Sequence, residues 1–307
     1  NQHPMSSIFL ELTPLTPCTL KSGFYQIGTV SQASNTIVID PQRELSASRM
    51  ILDHERWEQT LFFRIGVGLK TDFGLTFRYA EEGAGYWDKI LRQYHQKIGF
   101  PYDERISHQN FEYRYWQYNP ETQENIEIRS PQRGIGDVIV SFRNELGKTT
   151  IWKNPIRLSW RITLKQPSRS DLPTISSGNS DIGLGLLAST SGTIRGFPSG
   201  FWLNIGAVLP GKTKHKVYPQ KPMFFSGGTG MNADLSNTWN AVFQVLGASA
   251  RYNVPASVRG LNHRQTILLL GLRHYIGSHS FSLGFTEDID YLSSEDISLL
   301  FGWQFSG

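Results

Sequence analysis

The stretch Asp296-Ile297-Ser298-Leu299-Leu300-Phe301-Gly302-Trp303-Gln304-Phe305 decides the fold. Its odd positions from 297 to 305 are all large and apolar, and most of its even positions are small or polar. Side chains alternate faces along a strand, so this segment has one greasy face and one wet face. In a soluble sheet the greasy face would cover a core. A strand that closes on three aromatic rings pointing one way instead suits a membrane barrel, where rings form a girdle at the lipid–water boundary.

The same period of two recurs through the 307 residues. Leu61, Phe63, Ile65 and Val67 alternate with Thr60, Arg64 and Gly66, and a turn at Lys70-Thr71-Asp72 leads to Phe73, Leu75, Phe77 and Tyr79. Ile156, Leu158, Trp160, Ile162 and Leu164 alternate with Arg157, Ser159, Arg161, Thr163 and Lys165. Further segments follow around 182–188, 201–209, 223–233, 239–251, 265–276, 280–288 and 295–306. Short connections (235–237, 277–278) are set against longer polar ones (119–133, 166–178, 210–221, 253–263), as in a barrel with turns on one rim and loops on the other. Arginines and glycines collect on the polar face. A wall that is apolar outside and polar inside is an inverted barrel.

The expected fold is therefore an all-β transmembrane antiparallel barrel of about 14 strands, with 12 as the alternative. Fourteen counts 49–54 as a separate strand, and twelve follows if the weak first two and the Gly-rich one at 223–233 are misread; a segment at 111–116 is in the count. Residues 1–20, with three prolines and no sustained period, read as an extended lead-in, and 21–307 as the single barrel. One stretch breaks the rule: Trp87, Ile90, Leu91, Tyr94 and Ile98 recur at helical spacing, predicting a short amphipathic helix over 85–97 in a connection. No apolar run approaches the ~20 residues of a spanning helix. The single Cys18 excludes an intramolecular disulfide. A net charge of +4 without a Lys/Arg run or a recognisable module gives no case for nucleic acid.

Two resemblances add to this. The last strand resembles the C-terminal assembly signal of bacterial outer-membrane barrels, with Phe301, Trp303 and Phe305 as its rings. The runs Gly85-Tyr86-Trp87-Asp88-Lys89-Ile90, His95-Gln96-Lys97-Ile98-Gly99-Phe100-Pro101, Gly134-Ile135-Gly136-Asp137 and Phe285-Thr286-Glu287-Asp288-Ile289 resemble an uncharacterised outer-membrane family, domain of unknown function 3187. The resemblance implies an outer-membrane barrel in the bacterial outer membrane and transfers no activity. The implied surroundings are outer-membrane lipid and lipopolysaccharide, with the barrel-assembly machinery during biogenesis.

No catalytic constellation emerges, and no cofactor or metal site is expected. The histidines are scattered, without a Gly-x-Ser-x-Gly elbow or a His-Glu-x-x-His pair. His274, on the outward register, is the best candidate for lipid chemistry, and a His so placed more often sits in an interface girdle. Glu287, Asp288, Asp290, Glu295 and Asp296 read as a charged rim. The residues expected to line the lumen are Arg64, Arg78, Arg114, Arg143, Arg157, Arg161, Lys165, Arg273, Glu112, Asp137 and Glu145. A ladder of Arg143, Arg157, Arg161 and Lys165 either biases a path toward anions or ties a structural network to the acids. The expected function is a narrow channel for small polar or anionic solutes. The alternatives are a closed structural or partner-binding barrel and a lipid-modifying enzyme.

Overall fold

A computed structural model describes residues 3–39, 49–85, 112–151, 154–168, 172–212, 217–254, 263–289 and 297–307, with positions 87, 89–90, 93, 96–97 and 261 between them. Twelve long strands close into one antiparallel ring: β1 (Tyr25–Ile39), β2 (Arg49–Gly66), β3 (Thr71–Gly83), then, past three short strands, β7 (Val138–Ile151), β8 (Asn154–Gln166), β9 (Asp181–Ile194), β10 (Phe197–Leu209), β11 (Phe224–Asp234), β12 (Trp239–Ala248), β13 (Gln265–Ile276), β14 (His279–Asp288) and β15 (Ile297–Ser306). The seam pairs β1 with β15, from Gln26↔Ser306 to Asn35↔Ile297.

The count is 12 rather than 14 for two reasons. Residues 49–54 are not a separate strand but the first part of the 18-residue β2. Residues 111–116 supply β4 (Arg114–Asn119), which with β5 (Glu124–Ile128) forms a hairpin outside the ring. A membrane crossing needs only about 9–11 tilted residues. The surplus of β2 runs on past the end of β3, and Arg49–Asp53 pairs with β4 instead. The third short strand, β6 (Arg133–Ile135), pairs with β3 ahead of β7.

The inversion of faces is direct. Along β9, Ile182, Leu184 and Leu186 are exposed while Asp181, Gly183 and Gly185 between them are not. Lys165 and Asp181 are fully buried, whereas Leu203, Ile205, Phe225 and Leu283 stand on the outer wall. Short turns at 67–70, 195–196, 235–238 and 277–278 share one rim with the start of β1 and the end of β15. The longer connections, including 167–180 and 210–223, share the other.

The lead-in does not stay outside. A short helix α1 (Pro4–Ser7) sits at the long-loop end, and the chain from there to residue 20 runs extended down the interior to the short-turn rim. Its Met5, Ile8, Phe9, Leu10 and Leu12 join Val38, Met50, Leu52, Tyr115, Val208 and Phe224 in an apolar core inside the barrel. The interior is thus greasy at one end, which a uniformly polar lumen does not anticipate. The helix expected over 85–97 lies partly outside the described residues; of its described positions, 89, 90, 93, 96 and 97 are helical, and 85 and 87 are not.

Candidate functional site

Alternation along β3 and β7–β10 aims a row of charged and amide side chains inward, and the N-terminal segment lies against that row. Near the short turns, Asp72 accepts from Arg143 Nη2 at 2.5 Å, from Arg64 Nη2 at 2.7 Å and from the Leu20 N–H at 3.0 Å. Arg143 also donates to the Cys18 carbonyl at 2.6 Å and to the Thr16 carbonyl. Midway, Arg161 donates to the Thr13 carbonyl at 2.5 Å, and Asn204 Oδ1 accepts from the Leu15 N–H at 3.1 Å.

At the long-loop end Lys165 is the hub. Its Nζ lies 2.9 Å from Asp137 and 3.0 Å from Asp181, and it donates to the Ile8 carbonyl and to Ser177 Oγ. Asp181 accepts in turn from the Leu10 N–H at 2.7 Å. All three charged groups are fully buried. A buried charge is tolerated only when paired and hydrogen-bonded, and this cluster meets that condition with two carboxylates and a chain carbonyl. Arg78 donates to the Ser7 carbonyl at 3.2 Å. A second network joins Arg56, Glu58 and Glu82 with Thr174 and Tyr113. Burial holds the His3 imidazole down at about 3, with His54 and the Arg251 guanidinium adding to the effect.

Glycines make room for the segment. A Cβ on Gly183 would stand 2.7 Å from Leu12 Cδ2 and 2.9 Å from Leu10 Cδ2, and one on Gly206 would collide with Leu12. Gly66 faces the Lys21 carbonyl in the same way, whereas Gly68 has no close neighbour of this kind. The missing side chains at Gly183 and Gly206 therefore accommodate this chain's own segment. Beside the segment the fit is looser. Inward Val30, Gln244, Leu246, Leu269 and Leu300 are half-buried, while Ser34, Thr36, Gln265, Thr286 and Ser298 toward the long loops are buried. The lumen is filled at the long-loop end and only partly filled below it.

The residues expected to line the lumen divide. Arg64, Arg78, Arg143, Arg161, Lys165 and Asp137 point inward and are engaged as described. Arg157 and Glu145 share the inward register nearer the short turns and are half-buried. Arg273, on the same register near the short turns, is exposed, 3.4 Å from the Tyr275 hydroxyl. Arg114 and Glu112 do not line it. Tyr115 and Gln117 reach Met5, so Arg114 lies on the opposite face of β4 and pairs with Glu127 at 3.3 Å. Glu112 precedes that hairpin, outside the ring. Alternation misassigned both because β4 follows the buried interior of the upper wall rather than the lipid face.

Asp72, Asp181 and Asn204 sit on the polar register and were missed as site residues. Single polar residues among glycines carry no signal until the segment they hold is known. Phe301, Trp303 and Phe305 alternate along the outer face of β15, where Trp303 Nε1 donates to His279 at 3.3 Å. His274 stacks on Trp239 with ring centroids 4.3 Å apart, an outer-wall aromatic contact. Of the acidic rim, Asp290, Glu295 and Asp296 lie outside the described residues. Among the described residues no group of three or more His, Cys, Asp or Glu is placed to hold a metal.

The model of family DUF3187, described as a protein of unknown function, matches residues 1–306. Among curated proteins none matches. Among solved structures, the COG4313 outer membrane channel from Pseudomonas putida F1 is similar at a TM-score of 0.59 and 9% identity, over 97% of this chain and 100% of that one. The transport unit of the autotransporter AIDA-I from Escherichia coli follows at 0.46 and 9%, over 98% and 94%. The translocator domain of autotransporter NalP from Neisseria meningitidis gives 0.44 and 10%, over 93% and 89%. Of these, the channel carries the likeness of fold.

Proposed function

The chain belongs to the DUF3187 family, a membership that brings no activity with it, and from the geometry we propose an outer-membrane channel for small polar solutes, held shut by its own N-terminal segment. One observation carries the reading: a segment that is not part of the wall fills the long-loop half of the lumen, and polar bonds to the wall hold most of its length. Withdrawing the segment breaks these bonds and leaves the strand ladder of the ring intact. The half-buried inner wall beside the segment supports a path that widens when the segment moves.

The cation ladder acts differently from a free anion ring. Arg143, Arg161 and Lys165 are occupied by chain carbonyls and by Asp72, Asp137 and Asp181. Opening exposes acids and bases together, which favours polar solutes without a strong bias of sign. Location in the outer membrane is part of this proposal, supported by the apolar outer wall and by the fold shared with an outer-membrane channel.

The test is single-channel conductance in planar bilayers for the intact chain and for one lacking residues 1–20. The expected result is rare, brief openings of the intact chain and sustained conductance of the shortened one. A folded, inserted, shortened barrel that passes no current would leave the closed structural barrel as the better account.

A further inference from the structure

The wall's grip on the segment has a chemical character of its own. From residue 7 to residue 20, eight wall-to-segment hydrogen bonds end on main-chain atoms. Carbonyls of Ser7, Ile8, Thr13, Thr16 and Cys18 accept from Arg78, Lys165, Arg161 and Arg143. The N–H groups of Leu10, Leu15 and Leu20 donate to Asp181, Asn204 and Asp72. Among the charged side chains of the segment, Glu11 lies 3.7 Å from Arg251. The side chains that do dock are apolar: Leu10 and Leu12 against Gly183 and Gly206, and Pro14 beside Gly228.

Such a wall reads little that is particular to this sequence. Donors placed for carbonyls are interspersed with acceptors placed for N–H groups, a mixture that an extended polypeptide presents and that a simple ion does not. Glycine notches admit apolar side chains two residues apart, the repeat along one face of an extended chain. Peptide-binding proteins obtain affinity from main-chain bonds and selectivity from pockets for alternate side chains in the same way. Fourteen residues of extended chain cover roughly 45 Å, enough to cross the barrel.

We infer that the inner wall of β3 and β7–β10 is a binding site for extended oligopeptides carrying apolar residues at i and i+2, and that residues 7–20 are its tethered occupant. This rests on the reading that the segment leaves the lumen, not on what the open lumen conducts. The peptide competes with the segment for the same donors and acceptors, so its entry and the segment's withdrawal are one exchange.

The experiment uses a chain with a protease site inserted after Ser22, folded intact and cut afterwards, so that the barrel forms with its segment present. Displacement of the cut, fluorescently labelled segment is followed by anisotropy. Three synthetic peptides are added: the sequence of residues 3–20 with Cys18→Ser; an unrelated 18-mer that keeps only apolar residues at the positions of Leu10, Leu12 and Pro14; and the first peptide N-methylated at Leu10 and Leu15. The expected result is displacement by the first two within about tenfold of each other, and a loss of about tenfold or more on methylation, since each methyl removes one charge- or amide-directed bond. Displacement by the native sequence alone would show a site specific to its own segment and overturn the inference. Failure of all three peptides while the labelled segment dissociates on its own would overturn it as well. Displacement without any change in conductance would defeat the channel reading and leave the peptide site standing.

Discussion

Replacing Gly183 by Val tests whether the segment's seat is set by the glycine notches. The three nearest atoms to a Cβ at 183 are Leu12 Cδ2, Leu10 Cδ2 and Leu12 Cγ, at 2.7, 2.9 and 3.5 Å, so the added bulk presses first on the segment. Valine suits a strand position, and β9 pairs on both sides here, with Thr163 and Val208. Overpacking of this kind costs about 1–3 kcal/mol, which lowers the docked-to-undocked ratio of the segment by roughly 5- to 150-fold. The readouts are the open fraction in planar bilayers and the rate of proteolytic nicking within residues 8–20 in detergent, both expected to rise. Leu12→Ala alone should also loosen the segment by removing a buried leucine, on the order of 2–5 kcal/mol. In the Gly183→Val background it removes the clash as well, so the double variant should lose less than the two single losses together. Unchanged opening and nicking in Gly183→Val, or strict additivity of the pair, would refute the reasoning.

Lys165→Met should destabilise the barrel by about 3–5 kcal/mol, read as a lower unfolding temperature of the detergent-solubilised protein, because it strands Asp137 and Asp181 as buried unpaired carboxylates. A further Asp137→Asn and Asp181→Asn should recover much of that loss. Phe63→Arg places a charge on the lipid face at a cost of ~2–4 kcal/mol at mid-depth and should reduce yield of inserted barrel more than Arg64→Phe; equal yields would count against the assignment of faces. Acid should loosen the segment. His3 titrates near 6.5 when released and near 3 in place, so the docked state holds its full stability above pH 6.5 and loses it progressively as pH falls toward 3. Nicking of the segment should rise over that window, and His3→Leu should flatten the His3 contribution.

The ring and its inside-out faces were legible because period two survives in most strands of the ring, from Phe63 to Phe305. What the period cannot show is where a strand leaves the membrane. β2 keeps its backbone pairing to Arg49, but its outer positions there no longer need to be greasy, so 49–54 looked like a separate weak strand. For β4 the same loss of lipid reversed the meaning of the pattern: Tyr113 and Tyr115 are apolar because they cover the interior core. The site itself was half legible. Arg143, Arg161 and Lys165 stand out as long cations on a polar register. Their partners are main-chain carbonyls, and carbonyls leave no trace in a sequence. The segment that owns them, with Pro4, Pro14 and Pro17 and no periodic pattern, has the composition of a linker because its own bonds are made by its backbone.

The seam between β1 and β15 bears on how this molecule is made. Gln26 and Ser306 are 280 positions apart, so the ring closes only when its first and last strands meet. The segment enters at the short-turn mouth through the turn at 21–24 and doubles back inside the ring, where it rests on β3 and β7–β10. Docking on β7–β10 while the sheet is still an open, curving ribbon avoids driving α1 through a finished ring. Position alone thus suits the segment to a second office, a polar and greasy mandrel for the strands that curve around it. A segment that serves both while the ring forms and after it has closed couples traffic through the finished barrel to its assembly through the same fourteen residues.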